Sequence, residues 1–447
     1  MAPPVTAPQI DLYTGSITEE LEQSSPAVTG VLDAGEAVRR AIIYNQRIQA
    51  VRYEAAIEDA KARVERGELL PDVIAESDYY RRNNRHFSRS NRSAEYSTSS
   101  DLATLTRSIE LSYNLLDFGL TLIRMRQAED KANQSREEVR RVALQIAEET
   151  RATYWRAVAL QTLLPQIGKV TPHVNDALRL SGLAMQDVAV DPVHFINFQR
   201  DLLNTRRELN DVFAQLAGAE YQLRNLANIL SPGELQLDAR KNEAAISLPR
   251  TTGAEDVAIA LRQRPEMRQS FYEARITEQE VHATILRMLP GATLTQALTG
   301  DSNSYLLHGN WIGWSARIAA NLIEIVRLPE KLDAVDAQQE ANTRNAMVAA
   351  SAIAMQVHVA RARLAVEFAV YRDAEDFASN QLVLLRQVKN SVLAGKLPEQ
   401  MVAREELSAL LAQVRAIVAY GDLEAAYAAY HSALGEAPSE EFAALNE

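Results

Sequence analysis

Seven histidines, His86, His173, His194, His282, His308, His358 and His431, are the side chains best suited to proton transfer or metal ligation. They are scattered, and none stands at the H-E-x-x-H spacing that puts two imidazoles on one helix face. Each reads as a surface or packing residue. There is no cysteine, which removes thiolate catalysis, disulfides and cysteine zinc sites. No Walker A or G-x-G-x-x-G loop offers a phosphate cradle. The adjacent carboxylates Glu148, Glu149 and Glu405, Glu406 read as solvated helix faces rather than acid–base pairs. No catalytic, cofactor-binding or metal residue is nominated, and no cofactor is expected. Two groups of charge remain. Arg81, Arg82, Arg85, Arg89 and Arg92 form a basic run that is either a solvated loop or a contact for anionic lipid headgroups. Arg386 and Lys389 stand near a turn, as a gate or as plain surface.

The elements that must hold these groups are long. The 447 residues include 17 glycines and 15 prolines, about 7% of the chain against ~12% in ordinary soluble proteins. Alanine recurs throughout, and it favours helix and close helix approach. The net charge of −12 argues against nucleic acid as a partner. No run approaches the ~18 apolar residues of a membrane-crossing helix, and a membrane β-barrel would show none either. The N-terminus lacks the basic start and apolar segment of a secretory signal, since its first basic residue is Arg39. The chain is therefore expected to be cytoplasmic, or a mature form from which a signal has been removed.

An internal duplication organises the sequence. At a constant offset, Tyr53, Glu54, Ala55, Ile57, Leu70 and Pro71 match Tyr272, Glu273, Ala274, Ile276, Leu289 and Pro290. Further on, Asn114 in YNLLDFG aligns with Asn321 in ANLIEIV. The expected division is an extended N-terminal segment over 1–30, a first repeat over 31–230, a linker over 231–253, a second repeat over 254–437 and a tail over 438–447. Each repeat runs helix, two strands, very long helix, tip and return helix. The first pair of strands is expected near 72–82 and 105–115, the second near 292–300 and 311–322. Leu105, Arg107, Ile109, Leu111 and Tyr113 alternate with Thr106, Ser108, Glu110 and Ser112; Ile312, Trp314, Ala316 and Ile318 alternate with Trp311, Gly313, Ser315 and Arg317. This period of two gives one apolar and one polar face.

Along the long helices, Ala128, Ala132, Val139, Val142, Ile146 and Thr153 form one heptad-like seam, and Ala337, Ala341, Val348, Met355, Val359, Ala362 and Val366 a second. The tips are expected at 182–192 and 392–398. At about 1.5 Å per residue, each long helix matches two shorter ones laid end to end, which implies a rod about 100 Å long.

Four amphipathic strands suit an outer-membrane barrel, but four alone leave two unsatisfied edges in lipid. Copies must close one barrel, as a dimer of eight strands or a trimer of twelve. Tyr79, Tyr80, Tyr113, Trp311 and Trp314 gather at the strand ends, where an aromatic girdle would lie.

The unit RPEMRQSFYEARITEQEVHATILRMLPGATL, the strand exit LSYNLLDFG running into QAEDKANQS, and the segment VLAGKLPEQMVAREELSALLAQVRAIVAYGDLEAAYAAYHSALG resemble the TolC-type outer-membrane factors, over roughly residues 31–437. The resemblance implies a mainly α fold of tandem-duplicated helical hairpins forming a periplasmic α-barrel, with four β-strands per protomer in a 12-stranded trimeric outer-membrane barrel. It implies a homotrimer in outer-membrane lipid that serves tripartite efflux or type I secretion through a periplasmic adaptor and an inner-membrane transporter. The adaptor-docking residues would be Asp191, Pro192, Gly395, Lys396, Leu397 and Pro398. Gate candidates are Asp187, Arg386, Lys389, Glu399, Met401 and Arg404, with Asp187, Asp191 and Glu399 as partners for the two cations. The family's acidic pore positions, six and nine past the tip glycine, hold Met401 and Arg404 here, so the resemblance carries no acidic ring to them. The rival reading is a soluble coiled-coil scaffold, which leaves the two-faced strands unexplained.

Overall fold

The computed structural model describes residues 5–28, 30–89, 95–184, 192–231, 233–241, 246–321, 323 and 326–436. Ten helices are named: α1 Ala7–Gln23, α2 Ala34–Tyr44, α3 Gln46–Gly67, α4 Leu115–Ala184, α5 Pro192–Leu216, α6 Ala219–Leu226, α7 Gly253–Gln263, α8 Pro265–Leu286, α9 Leu328–Leu393 and α10 Gln400–Leu434. The strands are β1 Asp72–Arg81, β2 Ser88–Arg89, β3 Tyr96–Ser97, β4 Ala103–Asn114, β5 Gly291–Asp301 and β6 Asn310–Ala319.

Several elements differ from the sequence expectation. The N-terminal segment is not extended, because Ala7–Gln23 is helical, opened by a capping box between Thr6 and Gln9. The single helix expected before each strand pair is two helices. Asn45 and Arg264, one at the same place in each repeat, have extended backbone with ψ of 127° and 133°. Arg264 precedes Pro265, whose ring excludes the helical conformation before it. At Asn45 the side chain does the work, accepting from the Arg47 amide at 3.0 Å and donating to the Leu226 carbonyl at 2.9 Å. The first return helix is likewise divided, at Gly218, which has φ of +93°. The last strand stops at Ala319, short of 322.

By contrast, the aligned pair Asn114 and Asn321 plays one physical part. Each side-chain oxygen accepts the amide two residues on, from Leu116 at 3.0 Å and Ile323 at 3.1 Å, and so turns the chain out of the strand.

The chain divides into two compact units. One comprises residues 1–53, 137–268 and 348–447 and the other residues 54–136 and 269–347. Each therefore draws on both repeats. The core of the first is aromatic at its centre. Trp155 meets Tyr420 edge-on at 4.6 Å, and Tyr371 meets Tyr420 at 5.3 Å. The Tyr154 hydroxyl sits 2.9 Å from the Leu32 carbonyl and 2.8 Å from that of Asp238, beside a parallel bridge between Leu32 and Leu237. Burial pushes its pKa up. The stretch expected as a linker thus packs into this core, with Leu235 and Ile246 buried. The seam of Val142, Ile146 and Thr153 is buried as well.

The second unit pairs helical segments through polar contacts and carries the sheet. Buried Asp130 takes both Arg275 and Gln279, the latter at 3.2 Å, and Asn342 donates to Thr277 at 2.6 Å. The sheet order is β1-β4-β5-β6, antiparallel throughout, with β2 and β3 a separate antiparallel pair.

Candidate functional site

Two places bring together residues nominated from sequence: the sheet of the second unit and the second hairpin turn of the first.

In an antiparallel sheet, directly opposed residues share a face. The registers Val73↔Leu111↔Gln296↔Trp314 and Ala75↔Ile109↔Leu298↔Ile312 therefore define one side. Tyr79, Leu105, Tyr113, Leu294, Ala316 and Ile318 join it by parity. The other side is polar, with Glu76, Asp78, Thr106, Ser108, Glu110, Ser112, Thr295, Thr299 and Ser315. The apolar face is open to solvent: Trp314 is 77% exposed and Ile318 78%. An uncovered apolar face of this size marks an interaction surface. Beyond β1 and β6, no further strand pairs with either edge among the described residues.

The aromatic set divides between these faces. Tyr79, Tyr113 and Trp314 stand on the apolar side. Tyr80 is opposed to Thr104 and Trp311 to Thr299, which puts both on the polar side and removes them from a lipid-facing girdle. Adjacent residues in a strand alternate faces, so Tyr79 and Tyr80 could never share one. Tyr79 lies at the level of Leu105, eight residues from Tyr113 along β4, or about 27 Å at 3.4 Å per residue.

At the second turn, Gly395 has φ of +69°. The Lys396 amide donates to the Ser391 carbonyl and the Gly395 amide to that of Val392, both at 2.9 Å. This is a Schellman closure of α9, which needs a residue tolerant of the left-handed conformation. Lys396, Pro398 and Glu399 are exposed and Leu397 half-buried, and Glu399 occupies the position before α10. At the first turn, Asp187 and Asp191 lie outside the described residues. Pro192 opens α5, where its missing N–H is harmless.

The charges near the second turn pair differently from expectation. Lys389 Nζ meets Glu406 Oε1 at 2.8 Å rather than Glu399. The other oxygen of Glu406 is 2.8 Å from His173 Nδ1. One carboxylate thus ties α4, α9 and α10 together. Burial acts to raise its pKa, but the hydrogen bonds and charges of Lys389 and His173 outweigh that and hold it below the ordinary carboxylate value. Glu405, next to it, is buried and takes Arg404 at 2.7 Å and Gln381 at 2.8 Å. The reading of Glu405 and Glu406 as a solvated face is corrected by these contacts. Met401 is half-buried, and Arg386 is exposed with no ion pair among the described residues. A cleft of about 430 Å³ opens here, lined by His173, Arg179, Lys389, Val392, Glu399 and Glu406 among others.

Sequence reasoning missed His173 and Glu406 because their partners are distant in the chain. Among the described residues, no three His, Asp or Glu side chains converge as metal ligands, and no helix is long and apolar enough to cross a membrane.

No protein-family model matches the chain, and no curated protein sequence matches it. Solved structures do. The Campylobacter jejuni CmeC outer membrane channel aligns over 90% of this chain and 85% of its own, with 15% identity and a TM-score of 0.70. The open state of the Neisseria gonorrhoeae MtrE outer membrane channel aligns over 93% and 94%, with 16% identity and a TM-score of 0.69. CusC, which forms a transmembrane channel, aligns over 93% and 96%, with 14% identity and a TM-score of 0.67. From its duplicated helical hairpins to its two-faced sheet, the chain has the fold of these outer-membrane channels.

Proposed function

We propose that this chain is the outer-membrane channel of a tripartite efflux or type I secretion system, working as a homotrimer. Substrates would pass from an inner-membrane transporter and its periplasmic adaptor, through the helical part and the barrel, to the cell exterior. The observation that carries the reading is the sheet: an exposed apolar face, a polar face and two unpaired edges, within a fold shared with outer-membrane channels. In hydrocarbon each unpaired backbone group costs several kcal/mol, so the edges demand strands from other copies. Three copies make twelve strands, with the apolar face toward lipid and the polar face toward the pore.

A second exposed surface supports assembly. Val348, Met355, Val359, Val366, Val370 and Phe377 repeat at intervals of seven and four along α9, and all are exposed. This is a coiled-coil seam left uncovered by every other element among the described residues. The turns at 182–192 and 392–398 would receive the adaptor, and the Glu406 cluster would hold the hairpins closed.

The reading is tested by expressing the chain in a Gram-negative host lacking its own such channel, fractionating the membranes, and recording purified protein in planar bilayers. Recovery in the outer membrane with discrete conductance steps is expected. Recovery as a soluble protein that never conducts would overturn the channel and favour the scaffold.

A further inference from the structure

The end of the sheet away from the helices collects cations that a channel wall alone does not require. β1 follows α3 and β4 leads into α4, so the described parts of the connections 82–102 and 302–309 lie together at the opposite end. Hydrogen bonds join them: Asp101 accepts from the Ser304 amide at 2.6 Å and its hydroxyl at 3.0 Å, and Asn303 donates to the Ser99 carbonyl at 3.0 Å. In a chain with a net charge of −12, this end carries Arg81, Arg82, Arg85 and Arg89. None of the four forms an ion pair among the described residues, and all but Arg82 are exposed. Arg92 lies outside the described residues.

Register decides which way Arg81, and Arg107 deeper in the sheet, face. Arg81 is opposed to Ala103 and Arg107 to Ser77, which places both on the apolar side of the sheet. They bracket Tyr79, which stands at the level of Leu105 between them. Moving outward along this face, Arg107 follows Ile109, the opposed pair Tyr79 and Leu105 comes next, and Arg81 stands outermost, at the level of Ala103. An arginine on a lipid-facing strand is costly near the midplane and tolerated at the boundary, where its guanidinium meets headgroups. The loop adds an ordered part. Phe87 meets Tyr96 edge-on at 6.4 Å, and Arg89 lies 5.9 Å over the Tyr96 ring. Leu307, at the tip of the other connection, is 92% exposed.

Guanidinium groups bind phosphate in bidentate fashion, and an aromatic and leucine beside them suit an acyl–headgroup boundary. We propose that this end of the sheet is a binding surface for phosphorylated lipid headgroups of the outer leaflet, with Arg81 gripping phosphate at the barrel wall and Arg82, Arg85 and Arg89 from the connection beyond it. This rests on the outer-membrane reading above and adds the chemistry of the lipid that surrounds the barrel.

The test uses detergent-purified full-length protein and lipid A carrying either two phosphates or none, with bound lipid counted by native mass spectrometry. Insertion into phosphatidylcholine vesicles is measured in parallel. Preference for the phosphorylated form should be at least about tenfold and should weaken as salt rises. It should vanish in the combined variant Arg81→Gln, Arg82→Gln, Arg85→Gln, Arg89→Gln. It should survive in a charge-matched control, Arg156→Gln, Arg207→Gln, Arg250→Gln, Arg262→Gln, at exposed positions of the other unit. Equal binding of both lipids, or equal loss in both variants, overturns the inference. Wild-type protein that enters vesicles without preferring phosphate overturns this inference alone, whereas protein that never enters vesicles overturns the outer-membrane reading itself.

Discussion

Gly421 lies under Trp155 so closely that a Cβ there would stand 2.5 Å from the tryptophan Cβ. The Gly421→Ala variant should lose about 1–3 kcal/mol, the usual cost of overpacking a well-filled core. A fall in the urea midpoint with an unchanged slope would show it. Glu406 is the second residue whose substitution separates structure from surface. Its folded pKa lies below the ordinary value of 4.5. Its contribution is therefore complete above that pH and fades as the pH falls through the lower, folded value. The stability gap between wild type and Glu406→Gln, read from denaturation midpoints, should be open at pH 7 and close in acid. A gap independent of pH would mean that the ion pairs contribute nothing. Lys389 was visible in the sequence as a charge near a turn, but its partner was not. Glu406 stands 17 residues on, across the hairpin, and His173 is on a third helix. Such pairings depend on which helix faces meet, and local spacing carries no record of that.

Elements were more legible than contacts. The strand alternation at 105–115 and 312–318 foretold the two faces, because a period of two leaves no other arrangement. It also implied, through the same parity, that Tyr80 and Trp311 would leave the apolar side. The helix break at Arg264 had a visible cause in Pro265, whereas the equivalent break at Asn45 has no proline and depends on a side-chain hydrogen bond to Leu226. Two substitutions test the faces. Leu111→Arg should cost up to ~2–4 kcal/mol near the membrane midplane, while Ser112→Arg should be tolerated in the lumen. Refolding titrations into lipid vesicles would measure both, and equal damage would reverse the assignment. At the turn, Gly395→Val forces a β-branched residue to φ of +69°, a conformation that costs L residues roughly 1–2 kcal/mol. Export in cells should fall while oligomer yield stays normal. Transport left intact would exclude this turn as the adaptor contact.

For the whole molecule, the tandem repeat was the most informative signal, since it set the order of elements twice over. What periodicity left open was direction. The seam of Val348, Met355, Val359 and Val366 has the same spacing as one that packs inside a protomer, yet it is exposed. The buried side of α9 is instead Ile353, Val357, Ala360, Leu364, Tyr371 and Ala378. A helix with two apolar sides satisfies one within its own chain and presents the other to a neighbour. Val359→Asp with Val366→Asp should therefore leave the protomer folded by circular dichroism and abolish the oligomer in detergent. The central claim is that the sheet closes only by joining other copies. Particle imaging of the protein purified in detergent tests it most directly: a threefold particle whose barrel is closed by twelve strands is the expected result, and a stable monomer, or a barrel closed by two copies, would contradict it.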